Sequence, residues 1–120
     1  MKEKQRYILI KAWRPILESK RRDFERDFYT AMMAVLGELS YSSAHPKVIK
    51  FLDSSHFIVK CTLAGRNSVV VATALIKMVG GETTCFYTLK SSGTLKALQK
   101  YYNSAVESGK ISWSNVQRPQ

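Results

Sequence analysis

Apolar and polar residues alternate along this chain with two different periods, and each change of period marks a predicted element. Large residues alternate from Arg6 to Trp13 and stop at Arg14-Pro15, which predicts a first strand because a proline cannot donate to the ladder of a central strand. Apolar residues then recur at steps of three or four, which predicts a helix over residues 20–39. We expect its buried face to consist of Phe24, Phe28, Met32, Val35 and Leu39.

The next part of the chain has the pattern of a β-hairpin. A loop is predicted at Tyr41-Ser42-Ser43-Ala44, and Pro46 then opens a run of β-branched and aromatic residues. Strands are predicted over residues 47–52 and 56–63. The three residues between them, Asp53-Ser54-Ser55, are typical of a turn.

Residues 69–79 are apolar almost all round, and their length and flanks favour a helix. We expect this helix to have Asn67 or Ser68 as its N-cap and Gly80-Gly81 at its C-terminal end. The valines in the segment favour a strand instead, so the prediction depends on the flanking residues. A strand rich in threonine and aromatic residues is predicted over residues 82–90.

The last predicted elements surround a small polar turn, Ser91-Ser92-Gly93. A third helix is predicted over residues 94–106, and Ile111-Ser112-Trp113 has the pattern of a short strand. The apolar face of the third helix consists of Leu95, Leu98, Tyr102 and Ala105 or Val106. We expect residues 1–5 and 114–120 to be flexible.

The order β-α-β-β-α-β followed by a helix predicts an α+β fold with one domain over residues 1–120. It is the ferredoxin-like or RRM-like split βαβ arrangement, in which an antiparallel sheet carries two helices on one face. Both alternating sets of strand residues contain apolar side chains, for example Leu9 against Ile8 and Ile10. The second sheet face therefore needs a cover, which the added C-terminal helix or a protein partner would supply.

The charge of the chain favours a polyanionic partner. There are 19 Lys and Arg residues against 9 Asp and Glu, which gives a net charge of +10. Residues 1–26 and 27–120 each contribute +5, which favours a folded basic domain over a neutral domain with a basic arm. A charge that only keeps the domain soluble remains the alternative.

Composition narrows the cellular and chemical setting. There is no run of 18 apolar residues and no leader-like start, so we expect a soluble cytoplasmic protein without a membrane contact. Cys61 and Cys85 lie in apolar stretches and are expected to be small buried hydrophobes. His45 and His56 lack the context of a triad or a metal site, and Asp53, Glu82 and Glu107 are isolated in sequence, although a fold could still gather them. An enzymatic function is therefore disfavoured.

The stretch from Thr88 to Leu98 is the strongest candidate for RNA contact. A strand that passes through a serine- and glycine-containing turn into a helix presents free N–H groups at the positive end of the helix dipole, which suits a phosphate. The alternative is that these residues only cap the helix. The strand over residues 56–63 lacks the glycine and aromatic pattern by which an RRM stacks bases, so we expect contact through basic loops and helix starts. The predicted RNA-binding residues are Arg14, Lys20, Arg21, Arg22, Arg66, Lys90, Ser91, Ser92, Lys96 and Lys100.

Several short pieces of the sequence, in this order and spacing, resemble protein component 2 of archaeal ribonuclease P and its eukaryotic relatives. The most specific is Ser92-Gly93-Thr94-Leu95-Lys96-Ala97-Leu98. The others are Arg6-Tyr7-Ile8, Leu36-Gly37-Glu38, Lys47-Val48-Ile49, and Arg66 before Ala72-Thr73-Ala74-Leu75-Ile76. The serine-rich loop at residues 41–44 departs from the family, in which more glycine is expected.

The resemblance implies an RNA-binding subunit of ribonuclease P that supports the catalytic RNA in removing the 5′ leader of precursor tRNA. It implies that the RNA and its Mg²⁺ perform the chemistry, while the protein binds no cofactor and has no active site. The implied partners are ribonuclease P RNA and protein component 3, in a heterodimer or a dimer of heterodimers, with precursor tRNA contacted indirectly. The alternative function is a ferredoxin-like protein-interaction or small-ligand module with no RNA role.

Overall fold

A four-stranded antiparallel sheet organises the fold, and the computed structural model describes residues 4–109 around it. The elements are β1 (Gln5–Ala12), α1 (Arg21–Ala44), β2 (Lys47–Phe51), β3 (His56–Thr62), α2 (Arg66–Leu75), β4 (Met78–Val79), β5 (Glu82–Thr83), β6 (Phe86–Ser92) and α3 (Leu95–Glu107), with a 3-10 turn at Glu18–Lys20. The strands of the four-stranded sheet lie in the order β2-β3-β1-β6, and a separate two-stranded sheet pairs β4 with β5. The fold class predicted from the sequence is confirmed.

The main core lies between one sheet face and the helices α1 and α2. Phenylalanine rings from α1, β3 and β6 meet there with centroids 5.5–6.0 Å apart, a spacing that suits edge-to-face packing. These rings belong to Phe24, Phe28, Phe57 and Phe86. The two phenylalanines of α1 are therefore core residues and not a platform for bases.

A second core covers part of the opposite face. Leu9 and Ile58 lie opposite each other on β1 and β3 and are fully buried beneath α3. The residues of α3 that cover them are Leu98, Tyr102 and Ala105, as the helical spacing predicted. The added helix thus supplies a cover for the second face of the sheet.

The first helix differs from its prediction. It extends to Ala44, so the predicted loop at residues 41–44 is wrong, and it is interrupted at Gly37, whose φ of 81° and ψ of 164° are not helical. The interruption changes the direction of the chain, so that beyond it Tyr41 and Ala44 pack against the main core while the predicted core residue Leu39 does not. Leu39 is consequently 88% exposed, and Val35, just before the interruption, is exposed as well.

The second helix is shorter than predicted, and a hairpin follows it. α2 has Gly65 as its N-cap rather than Asn67 or Ser68, and it ends at Leu75. Gly80-Gly81 does not cap it, because both residues have positive φ (60° and 81°) and form the two-residue turn between β4 and β5. The predicted strand over residues 82–90 is correspondingly divided, and its second part continues through Ser92.

The N-cap of α2 approaches the end of α1 closely. A Cβ atom built on Gly65 would overlap both the Cα and the Cβ of Ala44, so this packing requires a glycine. The contact fixes where α2 begins and with it the position of Arg66.

No helix among residues 4–109 has the length and apolar character needed to cross a membrane. The predicted strand at residues 111–113 and the tail at 114–120 lie outside the described residues.

Candidate nucleic-acid interface

Arg66 and Ser91 meet where the end of β6 lies beside the start of α2. The Arg66 Nε donates to the Ser91 Oγ at 2.7 Å, and its Nη1 donates to the Asn67 Oδ1 at 2.8 Å. Arg66 and Ser91 are both predicted RNA-binding residues, although they are 25 residues apart in the chain. Ser91 thereby holds the Arg66 guanidinium in place. Its Oγ already accepts a hydrogen bond from Arg66 and is therefore a positioning group for that side chain.

Arg6, which is not among the predicted RNA-binding residues, places a second guanidinium beside Gly93. The Arg6 Nη1 donates a hydrogen bond to the Gln5 carbonyl oxygen at 3.0 Å. If Gly93 carried a Cβ atom, that atom would lie only 3.0 Å from the same Nη1. The glycine therefore gives the Arg6 side chain room against the turn. The motif that begins Arg6-Tyr7-Ile8 was the signal that could have pointed to it. We call the set Arg6, Arg66, Lys90, Ser91, Ser92, Gly93, Thr94 and Lys96 the basic junction.

The capping interpretation of the turn is confirmed for Thr94. The Thr94 Oγ1 accepts the N–H of Ala97 at 3.2 Å and is the N-cap of α3, while the N–H of Thr94 donates to the Ser92 Oγ at 3.3 Å. Ser91 and Ser92 belong to β6 and not to a loop, contrary to the prediction. The hydroxyl groups of the junction are thus engaged in local bonds, and its cations are the groups left to face a ligand.

The cations of the junction have no competing carboxylates in the described part of the chain. Within residues 4–109, Arg26 is the only arginine or lysine with a carboxylate oxygen inside 4.0 Å of a side-chain nitrogen. Lys96 and Lys100 are exposed one turn apart on α3, and the Lys90 Nζ lies 5.6 Å from the centre of the Tyr101 ring. The positive charge here is therefore available to an external anion.

The remaining predicted residues lie elsewhere, toward the other end of β1. Arg14 and Lys20 line an open cleft of about 350 Å³ whose walls also carry Asp23, Asp27 and Glu82. An extended strand rises about 3.3 Å per residue, so this cleft lies roughly 25 Å from the basic junction. Because three carboxylates share its wall, the cleft suits a phosphate less well than the junction does.

Arg21 and Arg22 differ from each other although they are adjacent. The Arg21 guanidinium carbon lies 4.8 Å from the centre of the Phe51 ring, and its Nε is buried with no hydrogen-bond partner in the described part of the chain. Arg22 is exposed at the start of α1. The structure therefore does not bring the ten predicted residues into one surface.

A buried polar cluster was missed because its members looked isolated in the sequence. The Asp53 Oδ1 accepts from the backbone N–H groups of Ser55 and His56 and lies 2.9 Å from the His56 Nδ1, while Oδ2 accepts from the Tyr102 hydroxyl at 2.6 Å. Burial raises the pKa of Asp53, but the bonds from His56, Tyr102 and Ser55 lower it further than burial raises it. Burial and the Asp53 charge raise the pKa of Tyr102. The cluster fastens α3 to the β2–β3 turn.

The two cysteines have different environments. Cys61 is fully buried, as predicted, and burial raises the pKa of its thiol to about 11. Cys85 is only half-buried, contrary to the prediction, and its thiol donates to the Tyr87 hydroxyl oxygen at 3.2 Å.

Within residues 4–109 no three His, Cys, Asp or Glu side chains form a group that could hold a metal ion.

Known proteins resemble this chain over most of its length. A model described as the Rpp14/Pop5 family matches residues 6–103. The chain is 26% identical over 100 residues to ribonuclease P protein component 2 of Methanocorpusculum labreanum, a match that covers 83% of this chain and 67% of that protein. It is 29% identical over 108 residues to the protein of that name from Methanoculleus marisnigri, with coverage of 87% and 64%.

A relative of more similar length and a solved structure agree with these matches. Ribonuclease P protein component 2 of Pyrococcus furiosus is 27% identical over 107 residues, and the match covers 87% of each chain. A chain in a cryo-EM structure of yeast ribonuclease MRP superimposes with a TM-score of 0.58 at 9% identity, over 92% of this chain and 97% of that one. At that identity the superposition shows a shared fold.

Proposed function

Because this chain belongs to the Rpp14/Pop5 family, we propose that it is an RNA-binding protein subunit of ribonuclease P. In this function it supports the catalytic RNA in removing the 5′ leader of precursor tRNA. The names of the three archaeal relatives support the assignment to ribonuclease P, and the net charge of +10 supports direct contact with RNA.

The observation that carries the proposal is the basic junction. The Arg66 guanidinium is held by its bond to Ser91, and the Arg6 guanidinium is bonded to the Gln5 carbonyl and lies beside Gly93. Lys90 and Lys96 flank this place and have no carboxylate partner among residues 4–109. A planar guanidinium fixed by one bond keeps further N–H donors for a phosphate, and little side-chain freedom is lost when it binds. The junction therefore suits the backbone of a folded RNA.

The chemistry belongs to the RNA in this proposal. The RNA and the Mg²⁺ that it holds would cleave the precursor tRNA, and this chain would stabilise the folded RNA without binding a cofactor. Protein component 3 would be its protein partner, in a heterodimer or a dimer of heterodimers. Contact with precursor tRNA would be indirect, through the RNA subunit.

Reconstitution of precursor-tRNA cleavage tests the function. The catalytic RNA and component 3 are assayed at limiting Mg²⁺ with and without this chain. We expect the chain to raise the rate, because protein cations replace some of the Mg²⁺ that screens RNA phosphates. An equal rate with and without it, in reactions where component 3 is shown to be present and folded, would overturn the proposal.

A titration at several salt concentrations tests the junction. Replacement of Lys90 and Lys96 by alanine should weaken binding to structured RNA and reduce the log–log salt slope by about one for each lost phosphate contact. The matched control replaces the exposed Lys47 and Lys77, which removes the same charge from other surfaces. Equal loss of slope in both variants would show that net charge, and not this site, binds the RNA. Indifference of the unmodified chain to RNA would favour the protein-interaction alternative.

A further inference from the structure

The cover that α3 provides for the sheet is incomplete. From the end of β6 the helix crosses toward β2, where the Gln99 Oε1 accepts from the Lys50 Nζ at 2.9 Å and Tyr102 reaches Asp53. The helix therefore crosses away from the corner where β1 ends and β6 begins. Trp13 at this corner is 56% exposed and Tyr87 is 49% exposed.

Strand register places both aromatic residues on one face. Ala12 and Phe86 are paired and buried in the core beneath α1, so Lys11 on β1 and Tyr87 on β6, which also pair, point to the opposite face. The Trp13 N–H donates to the Cys85 carbonyl at 2.9 Å, which extends the antiparallel pairing by one residue beyond both strands. Trp13 therefore lies on the same face as Lys11 and is a diagonal neighbour of Tyr87, a relation that spans about 7–8 Å.

The side chains at this corner are held in position by their neighbours. The Arg14 guanidinium carbon lies 5.7 Å from the centre of the Trp13 ring, and the Arg14 Nε donates to the Thr83 carbonyl at 2.9 Å. The Tyr87 hydroxyl accepts from the Cys85 thiol. We name Lys11, Trp13, Arg14, Cys85 and Tyr87 the aromatic corner.

We propose that the aromatic corner binds an unpaired RNA base, stacked on Trp13 beside Tyr87, with an adjoining phosphate near Lys11. The proposal rests on the RNA-binding function above. Each base has a flat π-face that an exposed tryptophan can stack on. Among residues 4–109 no carboxylate oxygen lies within 4.0 Å of the Lys11 side-chain nitrogen, so this surface offers a positive charge to the RNA backbone. This cation favours RNA over an apolar protein surface as the occupant.

Tryptophan fluorescence gives a direct test, because the chain has only two tryptophans, Trp13 and Trp113. In a Trp113→Phe background, the emission reports on Trp13 alone. The probes are a single-stranded oligouridylate and an RNA duplex with the same number of phosphates. We expect the single strand to quench Trp13, because a stacked base contacts the indole, and the duplex to leave the emission unchanged.

Affinity measurements complete the test. Trp13→Ala should weaken binding of the single strand by about 5- to 150-fold, which corresponds to about 1–3 kcal/mol for one stacked base. The salt slope should stay unchanged, since no phosphate contact is lost. Trp13→Phe keeps an aromatic face and should retain most of the affinity. Because the Trp13 side chain is more than half exposed, each variant should remain folded, and circular dichroism checks this.

The outcomes separate this inference from the proposed function. If structured RNA binds and the salt slope still depends on Lys90 and Lys96, but neither probe changes the emission, the aromatic corner is rejected and the proposed function stands. Quenching by purified component 3 in the absence of RNA would also overturn it and assign the corner to a protein contact. Absence of any RNA binding would overturn both.

Discussion

Replacement of Tyr102 by phenylalanine removes a single hydroxyl from the contact that fastens α3 to the sheet. That hydroxyl donates to the Asp53 Oδ2 at 2.6 Å, in a site where Tyr102 is 7% exposed and Asp53 is 7% exposed. The ring itself is retained, so the packing against His56, whose ring centre lies 5.6 Å away, should persist. The variant therefore isolates one hydrogen bond to a buried carboxylate.

The expected loss follows from the charge and burial of the acceptor. A hydrogen bond to a charged group contributes about 1.5–3 kcal/mol, and a buried acceptor left without its partner keeps the cost of its desolvation. We therefore expect Tyr102→Phe to lower the free energy of unfolding by about 2 kcal/mol near pH 7. With a urea m-value of about 1–3 kcal/mol/M, the unfolding midpoint should fall by roughly 1 M.

The effect should depend on pH in a defined direction. The folded-state pKa of Asp53 lies below its ordinary value of 3.8, because the hydrogen bonds to the carboxylate outweigh its burial. The ionised carboxylate therefore contributes stability above about pH 4, and this contribution is lost as the pH falls through the folded-state pKa. Since Tyr102→Phe removes one of these bonds, the difference between the variant and the unmodified chain should narrow in acid.

Urea unfolding followed by circular dichroism measures both effects. The matched control is Tyr101→Phe, which removes a hydroxyl that has no hydrogen-bond partner among residues 4–109 and should change the stability by less than about 0.5 kcal/mol. A loss below about 0.5 kcal/mol for Tyr102→Phe, or one equal to that of the control, would refute the reasoning. So would a difference that widens as the pH falls below 4.

Three further predictions concern packing and the junction. Leu98→Ala should cost about 2–5 kcal/mol in a urea titration, since the side chain is fully buried, whereas Leu39→Ala should cost less than about 0.5 kcal/mol; equal losses would contradict the assigned faces. Gly65→Ala should destabilise by about 1–3 kcal/mol or more in thermal unfolding, because its Cβ overlaps the end of α1, and an unchanged Tm would contradict that packing. Arg66→Lys keeps the charge but loses the Nε bond to Ser91, so RNA affinity should fall while the overall charge is conserved; affinity equal to the unmodified chain would show that the bond does not position the site.

Much of the fold could be predicted from the sequence because its helices and strands bury one face each. The steps of three and four placed Phe28 and Met32 in the core, and the same spacing placed Leu98 and Tyr102 under the sheet. Where the pattern failed, backbone conformation overrode it. Leu39 fits the helical period of the buried face, yet the interruption at Gly37 rotates its side chain out into the solvent.

Some residues of the candidate site could likewise be predicted from the sequence, and others could not. Residue type selected Arg66, Ser91 and Lys96, since cations near a small turn are a local signal, and the structure brings Arg66 and Ser91 to 2.7 Å. No local signal links Arg6 to Gly93, or Asp53 to Tyr102, because each pair is joined only when β1 and α3 have packed on the sheet.

The class of fold, most of its strands and helices, the basic character of the chain and its resemblance to a family could be predicted from the sequence, because periodicity, charge and short motifs are properties of neighbouring residues; the β4–β5 hairpin could not. The tertiary structure decided which cations share a surface, which hydroxyl groups are already bonded, and which corner of the sheet α3 leaves exposed. These depend on strand register and on the direction in which α3 crosses the sheet, and both are set by contacts between residues far apart in the chain.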